Sequence, residues 1–231
     1  MTESIAISIP AYNEEATLAL VVRQSLAVLD RLASDYEVLI IDDGSDDRTG
    51  AIADELASQF PAVRVLHHER NLGFGLTLQH VFAEPQKDWV FFIPGDGQIP
   101  PEELETLWQY RGEADFILGW RVNRQDPLRR RVTAWIYNVI ISMILGRRVH
   151  DVDSVVLYRR EILDAVRLTA RSVFLHAEFC LQAAAAGVRM IEIPVSHLPR
   201  AGGQARGNRP GVIIDTLQEL GRYLMSSHSR R

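Results

Sequence analysis

The sequence has little of several features that mark other classes of protein. It contains one cysteine, Cys180, in 231 residues, which excludes an internal disulfide and a cysteine cluster for a metal. No uninterrupted apolar run approaches the roughly 20 residues that a helix needs to span a bilayer. Residues 1–4 contain no basic segment ahead of the first short apolar run, so they do not predict a signal peptide. Positive charge is not in excess, since the net charge is -5, which argues against general nucleic-acid binding.

What the sequence does contain is a regular alternation of apolar runs and amphipathic segments. Between the runs, residues 15–33, a segment ending near Phe60, and a segment opening at the turn 71–75 predict helices. Four runs rich in β-branched and aromatic residues predict strands: 5–9, 37–41, 63–66 and 89–93. This alternation predicts an α/β fold with a mostly parallel central sheet flanked by helices. Farther along, residues 171–186 predict a helix that packs Cys180, 188–195 a late strand, and 212–225 a final amphipathic helix.

The most informative stretch is residues 89–98, where an apolar run ends at Pro94 and Gly95 and is followed by Asp96 and Gln98. Ligands of open α/β sheets bind at the carboxyl ends of the strands. A hard cation prefers oxygen ligands such as these, completed by phosphate and water. For this segment taken alone, an ordinary strand-to-helix turn is the alternative interpretation.

Polar loops also follow the first two predicted strands, at residues 10–15 and 42–47. Because the carboxyl ends of parallel strands share one edge of a sheet, we expect the three loops to converge. A nucleoside offers hydroxyls and ring nitrogens that Asp42 and backbone groups could hold. A diphosphate needs a cation or positive side chains beside these acids.

Several polar residues have a simpler interpretation. Asn13 is expected to be the N-cap of the first helix, and Asp46 and Asp47 are expected to act mainly as helix caps. Three histidines have no evident partner and are expected at the surface: His67, His68 and His150.

The ordered set of motifs resembles family 2 glycosyltransferases of the GT-A fold, and within them the dolichol-phosphate mannose synthase-like, polyprenyl-phosphate glycosyltransferase group. In the first half it rests on Ile9-Pro10-Ala11-Tyr12-Asn13-Glu14-Glu15, Ile41-Asp42-Asp43-Gly44-Ser45, Asn71-Leu72-Gly73-Phe74-Gly75 and Gly95-Asp96-Gly97-Gln98. In the second half it rests on Gly119-Trp120-Arg121, Asp151-Val152-Asp153-Ser154, Leu157-Tyr158-Arg159-Arg160 and Glu192-Ile193-Pro194-Val195.

This resemblance implies an inverting transfer of one sugar from a UDP- or GDP-sugar to a polyprenyl phosphate. Asp96 and Gln98 would hold Mg²⁺ or Mn²⁺ on the donor diphosphate. The family's metal motif usually reads Asp-X-Asp-X-Gln, and Pro94 stands where its first Asp would be. The residues implied for the nucleoside are Pro10, Tyr12, Glu14 and Asp42.

On the acceptor side, three arginines match the family's arginine positions: Arg121, Arg131 and Arg200. They are expected to bind the acceptor phosphate, with Arg200 also reaching the donor. A phosphate monoester is mostly a dianion at pH 7, so the reaction needs no obligatory base and Glu178 is expected to orient groups. The predicted catalytic set is therefore Asp96, Arg121, Glu178 and Arg200. We expect one domain over residues 1–231, of which 1–120 bind the nucleotide sugar and 121–231 face acceptor and membrane.

Residues 128–148 combine basic ends with an apolar centre that includes Trp135 and Tyr137. This pattern suits a helix lying in a membrane surface. A buried helix or a dimer contact is the alternative, and the second of these leaves a homo-oligomer open. Residues 199–210 are rich in glycine and arginine and are expected to form a mobile lid. We therefore expect a cytoplasmic protein held peripherally at the inner face of the membrane.

Two other functions compete with this interpretation. Pro94 is the best argument for a catalytically inactive nucleotide-sugar-binding or scaffold subunit. A Rossmann dehydrogenase is the weaker rival, because no G-x-G-x-x-G follows the first strand.

Overall fold

The computed structural model describes residues 3–124, 126–199 and 210–228. Strands and helices alternate through most of this chain. The strands are β1 (Ile5–Ala11), β2 (Tyr36–Asp42), β3 (Val63–His67), β4 (Trp89–Phe92), β5 (Phe116–Arg121), β6 (Val156–Arg159) and β7 (Met190–Val195). The helices are α1 (Leu18–Leu32), α2 (Thr49–Gln59), α3 (Phe74–Ala83), α4 (Glu103–Trp108), α5 (Leu128–Leu145), α6 (Phe174–Ala185) and α7 (Pro210–His228), with a short 3-10 helix at Arg160–Asp164.

The seven strands form one sheet in the order β3-β2-β1-β4-β6-β5-β7. Only β6 is antiparallel to its neighbours, β4 and β5, so the predicted, mostly parallel sheet is confirmed. The register aligns Ala11 with Asp42 and Ser8 with Phe92. As a result, the carboxyl ends of the parallel strands and the amino end of β6 lie on one edge, which we call the ligand edge.

Helices cover both faces of the sheet, which explains why the central strands β1, β2 and β4 are nearly continuous buried runs rather than alternating ones. Alternate side chains of β1 enter opposite cores: Ile7 belongs to the core that contains residues of α1, α2 and α4, whereas Ala6 belongs to the core that contains residues of α3, α5, α6 and α7. Cys180 is buried in the second core, as predicted.

Some boundaries differ from the sequence prediction. Helix α1 begins at Leu18, three residues later than expected, because the backbone at Asn13 has a φ of 55° and the N–H groups of Thr17 and Leu18 both bond to Glu14 O. Helix α5 begins at Leu128, directly after Pro127, as the predicted stretch 128–148 does, but ends three residues before it, at Leu145. Strands β5 and β6 were not predicted as strands, since the residues that form them stood out as motif residues instead.

Candidate active site

The loop after β4 carries Asp96 and is fixed by contacts to the loop after β1. The backbone N–H of Gly95 donates to Pro10 O at 3.2 Å, and the hydroxyl of Thr17 donates to Gly95 O at 2.8 Å. Asp96 is nearly buried, and its Oδ1 accepts the N–H of Gln98 at 3.0 Å. These contacts place the carboxylate at the ligand edge, where the sequence predicted it.

The donor set of this loop fits a hard cation. Asp96 supplies carboxylate oxygens. The Gln98 side-chain amide donates through Nε2 to Leu198 O at 3.4 Å, which leaves its oxygen as the acceptor end. Among the residues that the structure describes, no group of three or more His, Cys, Asp or Glu side chains gathers as a metal site. Two oxygen ligands suit Mg²⁺ or Mn²⁺ only when phosphate oxygens and water complete the shell.

The loops after β1 and β2 interlock through side chains. Asn13 Oδ1 accepts the N–H of Asp46 at 2.9 Å, and the N–H of Asn13 donates to Ser45 Oγ at 3.0 Å. The Tyr12 hydroxyl donates to Asp46 Oδ2 at 3.1 Å. The predicted N-cap role of Asn13 and the predicted cap role of Asp46 are therefore wrong, because both residues join the two loops instead.

The neighbouring acid, Asp47, does make a capping contact. Its Oδ1 accepts the N–H of Thr49, the first residue of α2, at 2.9 Å, although the N-cap position itself is held by Arg48. Thr49 in turn accepts the N–H of Glu14 at 2.8 Å through its hydroxyl. The predicted nucleoside residues Tyr12 and Glu14 are thus held by the loop that follows Asp42.

Asp42 is buried at the end of β2 and is already hydrogen-bonded on both oxygens. Its Oδ1 accepts from the backbone N–H and hydroxyl of Ser45 at 3.1 and 2.6 Å, and its Oδ2 lies 2.9 Å from His67 Nδ1. His67 Nε2 lies 3.0 Å from Asp54 Oδ1. Burial alone would lower the pKa of His67, but these two carboxylates raise it on balance. The prediction that His67 has no partner is wrong, although its side chain is exposed.

The next acid, Asp43, was missed by sequence reasoning as a functional residue. Its Oδ1 accepts the N–H of Leu72 at 2.8 Å and its Oδ2 that of Gly73 at 3.1 Å, so it fixes the turn that opens α3. His68 is buried with Nδ1 2.8 Å from Asp43 Oδ1 and Nε2 2.7 Å from His80 Nδ1. The prediction of His68 as a surface residue is therefore wrong. The residues that follow His68 are polar (Glu69, Arg70 and Asn71) and gave no sign of this buried chain of hydrogen bonds.

Arg121, at the end of β5, points its guanidinium at Asp151. The Nε–Oδ2 and Nη2–Oδ1 distances are 2.6 and 2.8 Å, and both side chains are largely buried. Burial by itself would raise the pKa of Asp151, but the Arg121 guanidinium holds that pKa below its usual range. Asp151 belongs to a motif that the sequence singled out, yet its pairing with Arg121 required the fold.

The other predicted acceptor residues lie in different surroundings. Glu178 is buried on α6, where its carboxylate accepts the N–H groups of Thr169 and Ala170, both at 2.8 Å, together with the Thr169 hydroxyl and the Gln182 amide. It therefore fixes the loop before α6. Arg131 is exposed in the first turn of α5. Arg200, and most of the predicted lid 199–210, lies outside the described residues.

His150 and the outer face of α5 complete this side of the molecule. His150 was predicted to lack a partner, but its Nδ1 lies 3.0 Å from Glu192 Oε2 and its ring stacks on Trp120. Helix α5 buries Asn138 and Ile141 and exposes a stripe that we call the apolar face of α5. Its members are Leu128, Val132, Trp135, Ile136, Val139 and Met143, which are 38–73% exposed. None of the helices in the described ranges combines the length and apolarity needed to cross a membrane.

Comparison with known proteins connects this geometry to a family. A family model described as "Glycosyl transferase family 2" matches residues 6–167. The undecaprenyl-phosphate 4-deoxy-4-formamido-L-arabinose transferases of Pectobacterium atrosepticum and Photorhabdus laumondii are each 31% identical over 209 residues. The matched part is 88% of this chain in both, but only 62% and 63% of those relatives, so the chain spans about three fifths of their length.

Solved structures share the fold. Glucosyl-3-phosphoglycerate synthase from Mycobacterium tuberculosis superposes with a TM-score of 0.73 at 22% identity, covering 95% of this chain and 80% of that one. The same enzyme in complex with Mn²⁺, uridine diphosphate and glucosyl-3-phosphoglycerate gives 0.72 at 21% identity. The predicted GT-A fold is confirmed by this likeness.

Proposed function

Because the chain belongs to glycosyl transferase family 2, we propose that it moves one sugar from a nucleotide diphospho-sugar to a polyprenyl phosphate, with inversion at the anomeric carbon. The observation that carries the proposal is the composition of the ligand edge. Asp42 and Arg121 are the last residues of β2 and β5, Asp96 follows β4, and Asp151 precedes β6, so all four belong to this one edge. The undecaprenyl-phosphate transferases that resemble this chain support the acceptor class.

The donor would lie across the loops after β1, β2 and β4. Asp42 and the Tyr12–Glu14 segment are held in place by Ser45, Asp46 and Thr49. Together with Pro10, they would form a pre-organised binding surface for the nucleoside of UDP or GDP. Asp96 and Gln98 would hold Mg²⁺ or Mn²⁺. Such a cation neutralises charge that develops on a departing diphosphate. The M. tuberculosis neighbour in complex with Mn²⁺ and uridine diphosphate supports this choice of ligand.

The acceptor phosphate would bind on the arginine side of the same edge. It arrives as a dianion at neutral pH, so the protein has to offset its repulsion from the donor diphosphate. Arginine suits this task because it stays charged and can bind two phosphate oxygens at once. Arg121 is pre-oriented by Asp151, Arg131 is exposed at the start of α5, and Arg200 would reach donor and acceptor. Glu178 would act indirectly, by holding the loop before α6.

The lipid tail would enter along the apolar face of α5. Exposed aliphatic and aromatic side chains form this face, with the exposed Arg129 and Arg131 in the first turn of α5 and the exposed Arg148 three residues after its end. A helix of this kind binds the headgroup region of an anionic bilayer. We infer that the protein is cytoplasmic and peripheral at the inner face of the membrane. The alternative to membrane binding is that a second copy of the chain packs on the apolar face of α5.

The test is a transfer assay with radiolabelled UDP- and GDP-sugars and a polyprenyl phosphate, with Mn²⁺ or with a chelator. We expect metal-stimulated transfer to the phosphate and none to the corresponding polyprenol. Arg131→Ala should reduce transfer more than Arg129→Ala, its exposed neighbour on the same helix turn. Donor binding without any transfer would instead favour an inactive scaffold subunit, and faster transfer to the polyprenol would contradict the mechanism.

A further inference from the structure

Five charged side chains form a chain of ion pairs at the acceptor side of the ligand edge, and we call this chain the ladder. Its members are Arg121, Asp151, Arg124, Asp126 and Arg130. Arg121 and Arg124 both contact Asp151, with the Arg124 Nη1–Asp151 Oδ1 distance at 3.3 Å. Arg124 and Arg130 both contact Asp126, each at 2.8 Å. The side chains are 30% exposed at Arg130 and less elsewhere. Three guanidinium groups against two carboxylates leave the ladder with one net positive charge.

The net charge of the ladder also depends on whether a sixth side chain, Asp153, is ionised. Arg121 Nη2 donates to the backbone oxygen of Asp153 at 3.3 Å, which places this residue beside the ladder. Its carboxyl oxygen Oδ1 is buried and has no hydrogen-bond partner among the described residues. Burial, and then the charge of Asp151, raise the pKa of Asp153 to about 7. A third carboxylate, at Asp153, would cancel the ladder's net charge.

The strand register places the segment before β6, which contains Asp153, at the ligand edge. Phe92 at the end of β4 pairs with Val156 at the start of β6, so the residues before β6 run beside the loop that carries Asp96. Because β6 lies between β4 and β5, the segment that contains Asp153 lies between the end of β5, which carries Arg121, and the loop that carries Asp96.

The other titratable groups around Asp153 keep one charge state between pH 7 and 9. Burial raises the pKa of Tyr137 on α5 and of Cys180 on α6. Burial lowers the pKa of His176 on α6 to about 3, so it stays neutral. Burial, and then the charge of Arg121, also lower the pKa of His197, which follows β7; the charges of Asp126, Arg124 and Asp96 act on it as well. The arginines stay charged throughout this range.

We propose that Asp153 takes up a proton when the acceptor phosphate binds, and that this proton keeps the ladder net positive toward the phosphate dianion. The inference rests on the proposed function, since it assigns this edge to a phosphate monoester. Its physical basis is that a dianion beside an uncompensated buried carboxylate disfavours the ionised form. Binding and proton uptake are then linked: the affinity falls as rising pH removes the proton from free Asp153.

The experiment uses farnesyl phosphate, a short polyprenyl phosphate, and isothermal titration calorimetry at pH 8 in two buffers of different ionisation enthalpy. At this pH the ligand is already a dianion, and arginines can only lower its pKa, so net uptake of up to one proton must come from the protein. We expect uptake with the wild-type protein and with Asp164→Asn, an exposed control, and none with Asp153→Asn. From pH 7 to 9 the wild-type affinity should fall by up to about tenfold per pH unit, whereas Asp153→Asn should change by less than about twofold.

The outcomes separate this inference from the function it rests on. Equal proton uptake in the wild type and Asp153→Asn would overturn the inference alone and point to His197. Absence of proton uptake by the wild-type protein would also overturn the inference alone. This result does not depend on whether any variant folds. Failure of the wild type to bind farnesyl phosphate at any pH would overturn both this inference and the assignment of the acceptor.

Discussion

Asp151 accepts three hydrogen bonds from Arg121: from Nε at 2.6 Å, from Nη2 at 2.8 Å and from the backbone N–H at 3.3 Å. The bond to the backbone fixes the carboxylate relative to the end of β5, and the two others fix the guanidinium. An arginine held in this way loses little side-chain entropy when a phosphate approaches.

Asp151→Asn should therefore destabilise the protein strongly, since it leaves the charge of Arg121 buried without its partner. Breaking a buried ion pair from one side costs about 3–5 kcal/mol. The matched control is Asp35→Asn, which removes the exposed partner of Lys87 and should cost at most about 1 kcal/mol. Urea unfolding of the two variants gives the comparison. Equal small losses would mean that the pair is solvated.

Gly75→Ala should be among the most damaging small substitutions in the chain. A Cβ at this position would lie 2.1 Å from the backbone oxygen of Arg171, where no flexible side chain can give way. Overpacking of this kind costs typically 1–3 kcal/mol, occasionally more. Gly112→Ala, where a Cβ meets nothing within 4 Å, is the control for thermal unfolding. A Gly75→Ala variant as stable as the control would show that the loop before α6 moves freely.

Asp96→Asn should remove the part of nucleoside diphosphate affinity that depends on metal. The substitution keeps the shape of the side chain but removes its charge, and the remaining ligands of the loop are too few for a hard cation. Calorimetry with UDP and GDP, each with and without Mn²⁺, measures this, and Asp164→Asn is the control on an exposed acid. If Mn²⁺ strengthened binding to Asp96→Asn as much as to the wild type, the metal assignment would fail.

The double substitution Trp135→Ser and Met143→Ser should weaken binding to anionic vesicles. These two side chains are 64% and 70% exposed on the apolar face of α5, and burying them in the interface is the main apolar gain. Leu20→Ser removes a 61% exposed leucine from α1 and should leave flotation with phosphatidylserine liposomes unchanged. Raised salt should weaken the wild-type association. Unaltered flotation of the double variant, with a change of oligomeric state, would favour a second copy as the cover.

His67 should make stability depend on pH in one direction. Its contacts with Asp42 and Asp54 raise its pKa in the folded protein on balance. A raised pKa means that the contribution is fully present below the unfolded value of about 6.5 and is lost as the pH rises through the folded value. The difference in unfolding free energy between the wild type and His67→Gln should therefore be larger at pH 5.5 than at pH 8.5. A constant difference would indicate that His67 stays neutral in the folded protein.

The alternating pattern of the chain by itself determined a large part of this protein. Residues 89–93 are apolar throughout, and residues 5–9 are apolar except for Ser8, because both faces of the sheet are covered. Each run ends where a polar loop begins. These local features are enough to predict the first four strands and the loops that hold Asp42 and Asp96, because the end of each strand is marked by its neighbours in the sequence.

Only the tertiary structure decided which polar side chains meet across that edge. Asn13 and Asp46 look like caps in the sequence, yet they bond to each other's loops 33 residues apart. His68 looks like a surface residue, yet Asp43 and His80 bury it. Arg121 meets Asp151 because antiparallel β6 brings the residues before it back to the end of β5. Pairings of this kind depend on strand order and register, and a carboxylate has the same local sequence signal whether it caps a helix, binds a ligand or holds an arginine.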